Sequence, residues 1–422
     1  MIYMKSLKIS EYRYFGEYLL VFISGNAYRL HSVQEDIFIL TNGKKTVKEI
    51  TYYIIKKYNM DSSLLANILD EVSKYCLNSP LFEIVDEKKC DFNSRVIGKK
   101  GKFYPKRIQV ELTNACNFSC FHCYKSANKD NGIFIEDKMF YNLLDFAGPH
   151  LTTLAFTGGE PLLHPHFEQY VIRAKKMGLK LELNTNGSLL SKINKEILYL
   201  FDRIAITLYG TSCLDYENNC YNAYGFEQLK ESCRWLNKNN ISFFINIVVS
   251  EEVLSKLEEY IKTAIVLKPI KVKIGTISKI GKAINIKNSN YGYNPDYDRK
   301  VYREIRKLQN KYSSKLEIED WERIIFHAKE IDEALYSKCC LACNAGNLNW
   351  AMNELGKMKP CVMLPQEDEF VWSFEQWKKY VDGESNIMWE GYMEKYIRMC
   401  EKKKIRPEDY CESLSLVYYK AK

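Results

Sequence analysis

Hydrophobic and polar positions divide the chain into three regions. In residues 1–90, LKISEYR (7–13), EYLLVFIS (17–24) and AYRLH (27–31) read as short strands, with a turn at Gly25-Asn26. Helical patterns follow at VQEDIFIL (33–40), VKEITYYIIKKY (47–58) and SSLLANILDEVSKYC (62–76). The last two place apolar residues at i, i+3, i+4 and i+7. Asn42-Gly43 breaks the first helix from the second, and Asp61 and Ser62 offer caps to the third. A strand, LFEIV (81–85), follows Pro80. This order predicts a small winged-helix-like α+β domain. The polar stretch after it predicts a linker at 91–104.

From Arg107 the pattern changes to alternating strands and helices. Strands are expected at 107–113, 152–159, 179–187, 203–210, 241–249 and 270–278, with helices at 137–147, 165–178, 192–201, 226–240 and 253–267 between them. Six such repeats predict an α/β fold, a partial (β/α)6 barrel within 105–300, with chemistry at the C-terminal strand ends. Past residue 300 a charged helical segment (298–312) leads into a cysteine-rich region, 301–422, with few periodic elements.

Composition narrows the setting. The 422 residues are enough for two or three domains, and 46% hydrophobic with 27% charged residues is ordinary for a globular protein. The start, MIYMKSLKIS, has no signal-peptide pattern, and no window reaches the apolar length of a membrane span. A cytoplasmic protein without a membrane partner is expected. There, 14 cysteines read as metal or cluster ligands rather than disulfides. The net charge of +8 is spread among mixed signs, and KKKIR (402–406) reads as a solvated face. A modest positive field suits an acidic peptide.

Residues 116–124, CNFSCFHCY, hold Cys116, Cys120 and Cys123 in the spacing C-x3-C-x2-C directly after the first barrel strand. Thiolates so spaced suit an iron–sulfur cubane, and three ligands leave one iron free for substrate or cofactor. Zinc is the alternative, with His122 as a fourth ligand, although zinc sites favour paired C-x2-C knuckles.

With these cysteines the sequence resembles the radical S-adenosylmethionine (SAM) enzymes. The resemblance extends through TGGEP (157–161), NTNG (184–187), ITLYG (206–210), INIVV (245–249) and IGTISKIGKA (274–283), covering roughly 105–285. Many members have Gly-Arg-Ala where this chain has Gly-Lys-Ala. The resemblance implies a [4Fe–4S] cluster on Cys116, Cys120 and Cys123, its free iron chelating the amino and carboxylate groups of SAM. Reductive cleavage then gives a 5′-deoxyadenosyl radical that takes a hydrogen from substrate. It further implies that Gly158 and Gly159 let the backbone approach the ligand. Glu160 would meet the methionine ammonium, and backbone around His122 would touch adenine. Asn184, Asn186, Thr207 and Asn246 would bind ribose or carboxylate; an ordinary polar turn residue is the alternative for each of these four.

The final region holds Cys339, Cys340, Cys343, Cys361, Cys400 and Cys411. Within it, CNAGNLNWAMNELGKMKPC (343–361) carries G-x4-C and resembles the SPASM or shorter twitch extension of radical SAM enzymes. The C-x2-C-x5-C-x3-C continuation of a full SPASM domain is absent. The resemblance implies at least one auxiliary iron–sulfur cluster on Cys343 and Cys361. Cys339 or Cys340, and Cys400 or Cys411, would complete it; two clusters remain open. Cys76 and Cys233 fall in helical patterns and read as core, while Cys90, Cys213 and Cys220 receive no role.

Residues 1–90 resemble the PqqD-like peptide-recognition element found beside peptide-modifying enzymes, through SGNAYRLHS and NGKKTVKEI. Such modules hold the leader of a precursor peptide as an added strand. Here the edge would be Ala27–His31 and the flanking helix Leu64–Tyr75. The alternative is a DNA-reading winged helix. Its third helix has one Lys and no Arg, so no nucleic-acid partner is expected. The three-part layout implies a maturase of a ribosomally made precursor peptide, served by a flavodoxin- or ferredoxin-type reductant. Its product would be an intramolecular crosslink, most often a Cys-derived thioether of the sactipeptide or ranthipeptide type. Carbon–carbon or carbon–oxygen crosslinking, oxidation of a residue in a full-sized protein, and a non-catalytic peptide-binding protein with a structural metal are the alternatives.

Overall fold

The computed structural model describes residues 3–6, 12–23, 26–85, 96–127, 129, 132–288, 290–292, 294–320, 345–346, 348–364, 371–384, 398 and 401–402. They fall into two units. One comprises residues 1–104 with 381–384, the other residues 105–380 with 385–422.

The first unit contains β1 (Tyr3–Ser6), β2 (Tyr12–Phe15), β3 (Tyr18–Ile23), β4 (Asn26–Leu30), α1 (Ser32–Leu40), β5 (Asn42–Thr46), α2 (Val47–Lys57), α3 (Leu65–Asn78), β6 (Phe82–Val85) and β7 (Val96–Ile97). Two sheets form, in the orders β5-β1-β6 and β4-β3-β2-β7. Leu19 and Val21 of β3 pack with Phe38, Ile50, Ile54, Val72 and Cys76 from the three helices. These are the apolar positions whose helical spacing is visible in the sequence. Thr46 caps α2 in a reciprocal box with Glu49, each bonding the other's backbone N–H.

Three expectations are corrected here. Asn42-Gly43 does not simply break the helices; these residues open β5, which pairs antiparallel with β1 before Thr46 starts α2. The expected strand at 7–13 is β2, beginning at Tyr12, and β1 precedes it as a separate strand. The stretch expected as a linker is partly structured. Val96 and Ile97 pair parallel with β2, Ile97 is buried, and Lys102 bridges to Gly16. Two apolar residues in a charged run are enough to add a short edge strand.

The second unit runs β8 (Arg107–Glu111), α4 (Asp137–Ala147), β9 (Thr153–Thr157), α5 (Phe167–Lys176), β10 (Lys180–Thr185), α6 (Lys195–Leu198), β11 (Arg203–Thr207), α7 (Cys213–Cys220), α8 (Gly225–Lys238), β12 (Phe244–Val249), α9 (Glu251–Ser255), α10 (Leu257–Leu267), β13 (Lys271–Thr276), α11 (Pro295–Tyr312), β14 (Glu317–Asp320), β15 (Asn349–Met352), β16 (Met358–Lys359) and α12 (Phe374–Val381). One sheet takes the order β14-β13-β12-β11-β10-β9-β8-β15-β16. Strands β8 to β14 are parallel, β15 adds parallel beside β8, and β16 folds back antiparallel. Strands β8, β10 and β12 alternate, burying Ile108 and Val110, Leu181 and Leu183, and Ile245 and Ile247 on one face, while Gln109, Asn184 and Asn246 on the other line a cavity.

The region past residue 300 is more ordered than its pattern suggested. Strand β14 continues the alternation after α11, and NWAM of β15 buries Trp350, Ala351 and Met352. Both strands have four residues, too few to show a period of two. Helix α7, CLDYENNC, was also unforeseen; its sequence is mostly polar and buries only Tyr216 and Cys220. Among the described residues no helix is long and apolar enough to cross a membrane.

Candidate active site

The cysteine loop leaves the C-terminal end of β8 and is clamped by three other segments. From the end of β9, Gly159 N–H donates to Thr113 O (2.7 Å) and Glu160 N–H to Ala115 O (2.8 Å). Gly158 has φ +135°, and a Cβ on it would lie 2.5 Å from Thr113 O. One on Gly159 would lie 2.0 Å from Ala115 O. The glycine pair therefore serves contact between two loops, and both glycines also line the cavity where close approach to a ligand is their expected role. From the end of α7, Cys220 O accepts Ser119 N–H (2.9 Å) and Asn219 O accepts Phe121 N–H (3.2 Å), bracketing Cys120. Beyond β13, Lys282 N–H donates to Cys123 O (3.0 Å) and its Nζ to Ser119 Oγ (2.8 Å). Gly281, at φ +56°, passes so close that a Cβ would sit 2.2 Å from Cys123 O.

The loop faces a cavity of about 300 Å³ at the C-terminal strand ends. Cys116, Cys120, Cys123, His122, Gly158, Gly159, Asn184, Asn186, Thr207 and Asn246 all line it, together with Tyr209, Val362 and Met363. Glu160 is buried and bound by its own neighbours. Its Oε1 accepts Thr185 Oγ1 (2.7 Å) and Leu162 N–H (3.2 Å), and Oε2 accepts Asn186 N–H (2.8 Å). Burial raises its carboxyl to about 7 against these bonds, which favour the carboxylate. A cationic group beside it would complete the charge balance.

Asn186 is committed to the loop. Its Nδ2 donates to Asn117 Oδ1 (2.8 Å), while Ser188 donates to its Oδ1 from both N–H (2.9 Å) and Oγ (2.6 Å). Asn117 Nδ2 closes the ring on Ser188 Oγ (2.8 Å). This side chain ties β10 to the residue after Cys116. Two other cavity atoms are buried and lack a hydrogen-bond partner among the described residues: His122 Nδ1 and Asn246 Oδ1. Burial lowers His122 to about 4, so its ring is neutral at pH 7.

The thiols fit a cluster. Burial raises Cys116 and Cys123; a hydrogen bond with the Cys220 thiol, with burial, raises Cys120. Loading iron on these sulfurs therefore releases protons. Among the described residues no three His, Cys, Asp or Glu side chains converge on a single ion. Cys116, Cys120 and Cys123 all line the one cavity, and in a cubane each thiolate would bind a different iron. The orphaned His122 Nδ1 and Asn246 Oδ1 are polar groups of the cavity wall that a SAM molecule on that cluster would meet, while Glu160, expected to meet the methionine ammonium, lies outside the cavity lining.

Of the tail cysteines, Cys361 is described. It follows the β15–β16 hairpin, its Sγ accepts Met363 N–H (3.4 Å), and the next two residues line the cavity. Cys339, Cys340, Cys343, Cys400 and Cys411 lie outside the described residues. Asn117, Ser188, Lys282 and Cys220 were not foreseen. Asn117 sits inside the cysteine motif and Ser188 directly follows NTNG, so proximity to the motifs was their only signal.

Residues 110–264 match the model of the Radical SAM superfamily. The chain is 22% identical over 335 residues to the sporulation killing factor maturation protein SkfB of Bacillus subtilis (strain 168), covering 77% of this chain and 75% of that protein. It is 20% identical over 315 residues to the antilisterial bacteriocin subtilosin biosynthesis protein AlbA of the same strain, covering 73% and 66%. Streptococcus suis SuiB bound to S-adenosylmethionine shares the fold at a TM-score of 0.63 and 14% identity, over 98% of this chain and 96% of that one. SuiB bound to precursor peptide SuiA matches at a TM-score of 0.59 and 14% identity, over 92% and 90%. Residues 110–264 thus match a radical SAM domain whose three motif thiols and two orphaned polar atoms line one cavity, and the chain is an enzyme that uses a [4Fe–4S] cluster and S-adenosylmethionine.

Proposed function

We propose that this enzyme matures a ribosomally made precursor peptide by installing an intramolecular crosslink, a thioether from a cysteine sulfur to an acceptor carbon. The observation that carries the reading is the place of Cys361: the two residues after it wall the same cavity as Cys116, Cys120 and Cys123. An auxiliary cluster on Cys361 would stand beside the substrate carbon. The likeness to a maturation protein and to SuiB, solved with a precursor peptide, supports a peptide as substrate. Strand β4 supports leader binding by residues 1–90, since among the described strands it pairs only with β3 and leaves an edge for an added strand.

When bound, the cluster and SAM would supply one radical able to take a hydrogen atom from the acceptor carbon. Forming the C–S bond with loss of that hydrogen atom, the thiol proton and one further electron is a net two-electron oxidation, and Cys361 would hold an auxiliary cluster able to accept that electron. The chain's own part is to hold the cysteine loop rigid through Gly159, Asn186 and Lys282. A flavodoxin- or ferredoxin-type protein in the cytoplasm would supply the first electron.

The test is anaerobic reconstitution, then reaction with a candidate precursor peptide and mass spectrometry before and after thiol alkylation. A peptide lighter by two hydrogens whose cysteine no longer alkylates supports the thioether. The same mass with a free thiol favours a carbon–carbon or carbon–oxygen crosslink. Full activity after deletion of residues 1–90 removes the leader-binding role. A colourless, iron-free protein would overturn the enzyme reading.

A further inference from the structure

Behind the cavity lies a buried set of four charges that the reaction as described does not use. Glu111, the last residue of β8, takes Lys125 Nζ at 2.9 Å and Lys359 Nζ at 3.0 Å on the same Oε2. Lys125 also pairs with Glu354. All four side chains are buried. Two cations and two anions balance, yet burying an ammonium costs more than an apolar residue of the same size would unless its bonds do something specific.

Lys359 shows what they do. An ammonium has three donors. Besides Glu111, Lys359 Nζ reaches Val362 O (3.1 Å) and Leu364 O (3.5 Å). These carbonyls flank Met363, whose N–H donates to Cys361 Sγ. One lysine thus joins the strand that launches the radical-forming cysteines to the turn that carries Cys361 and two cavity-wall residues. A methionine of the same length would fill the space but hold neither carbonyl.

We propose that Lys359 is a positioning residue: anchored on Glu111, it fixes the Cys361–Leu364 turn, and so sets the auxiliary cluster and the Val362–Met363 wall relative to bound SAM. The inference rests on the reading that Cys361 ligates an auxiliary cluster.

The test uses the full chain. In a Cys116→Ala/Cys120→Ala/Cys123→Ala background, any remaining iron reports the tail alone. Iron content and the electron paramagnetic resonance (EPR) spectrum of the reduced protein are compared for this background, with Lys359→Met added, and with Glu111→Gln added. With Cys116, Cys120 and Cys123 intact, the KM for SAM cleavage is compared with kcat. Lys359→Met is expected to shift the tail-cluster spectrum and raise KM severalfold, with kcat changed less. Glu111→Gln should do the same more weakly. A folded Lys359→Met with wild-type spectrum and KM overturns the inference and leaves the auxiliary cluster standing. If Lys359→Met does not fold, an unchanged spectrum in Glu111→Gln overturns it equally. No iron in the triple-cysteine background would instead defeat the cluster reading, and the inference with it.

Discussion

Gly159 lies against Ala115 so closely that a side-chain carbon at 159 would stand 2.0 Å from the Ala115 carbonyl oxygen. That contact places the cysteine loop on the end of β9. Backbone, rather than a flexible side chain, would have to yield. Gly159→Ala should cost about 3 kcal/mol or displace the loop. The expected readout is loss of most iron from the first site while the tail iron persists. Retention of both irons with unchanged thermal stability would refute this account of the glycine.

The Asn117–Asn186–Ser188 ring makes a separate prediction. Replacing Asn117 by Ala leaves the Asn186 amide and the Ser188 hydroxyl each short of a partner in a mostly buried site. A cost of about 1–3 kcal/mol is expected. Denaturant unfolding of the cluster-free protein measures it. SAM cleavage should fall as well, although Asn117 does not line the cavity.

Glu160 sets a pH dependence. Burial lifts its carboxyl to about 7 in the folded chain, from an ordinary 4.5. The folded state therefore binds the proton more tightly than the unfolded one. The stability this contributes is fully present below about pH 4.5 and is lost as pH rises through about 7. The unfolding free energy of cluster-free Glu160→Gln relative to wild type should improve by about 3 kcal/mol across that window. A flat difference between the two proteins would show that the carboxyl is not destabilised by its surroundings.

In the first unit, Thr46→Ala removes the side chain that caps α2 and accepts Glu49 N–H at 3.2 Å. A loss of about 1 kcal/mol is expected. Because Thr46 belongs to the first unit, iron content and SAM cleavage should not change.

Much of the site was legible because its chemistry is written in short contiguous motifs at strand ends. CNFSCFHCY, TGGEP and NTNG each sit where a strand stops, and the topology brings those ends to one cavity. What could not be read were partners chosen by the fold. Lys359 and Glu111 are 248 residues apart in sequence, and nothing local marks either as buried. Strand β14 was missed because EIED, three acidic residues around one isoleucine, gives no apolar pattern. Its pairing with β13 is decided by tertiary context. Asn186 shows a subtler failure: its position at a strand end was visible, but the commitment of its amide to Asn117 depends on a turn that only the fold brings near.

The pairing of β15 with β8 fixes an order of events. Strand β8 carries the cysteine loop, yet one of its two edges is covered by residues 349–352. A ribosome making the chain releases β8 long before it releases β15. Until then the first barrel strand has an open edge beside three reduced thiols. Closing the loop between these strands is a long-range step, slow in the way that distant parallel pairings are slow. The chain thus passes through a stage in which the cysteines are already present but their wall is not.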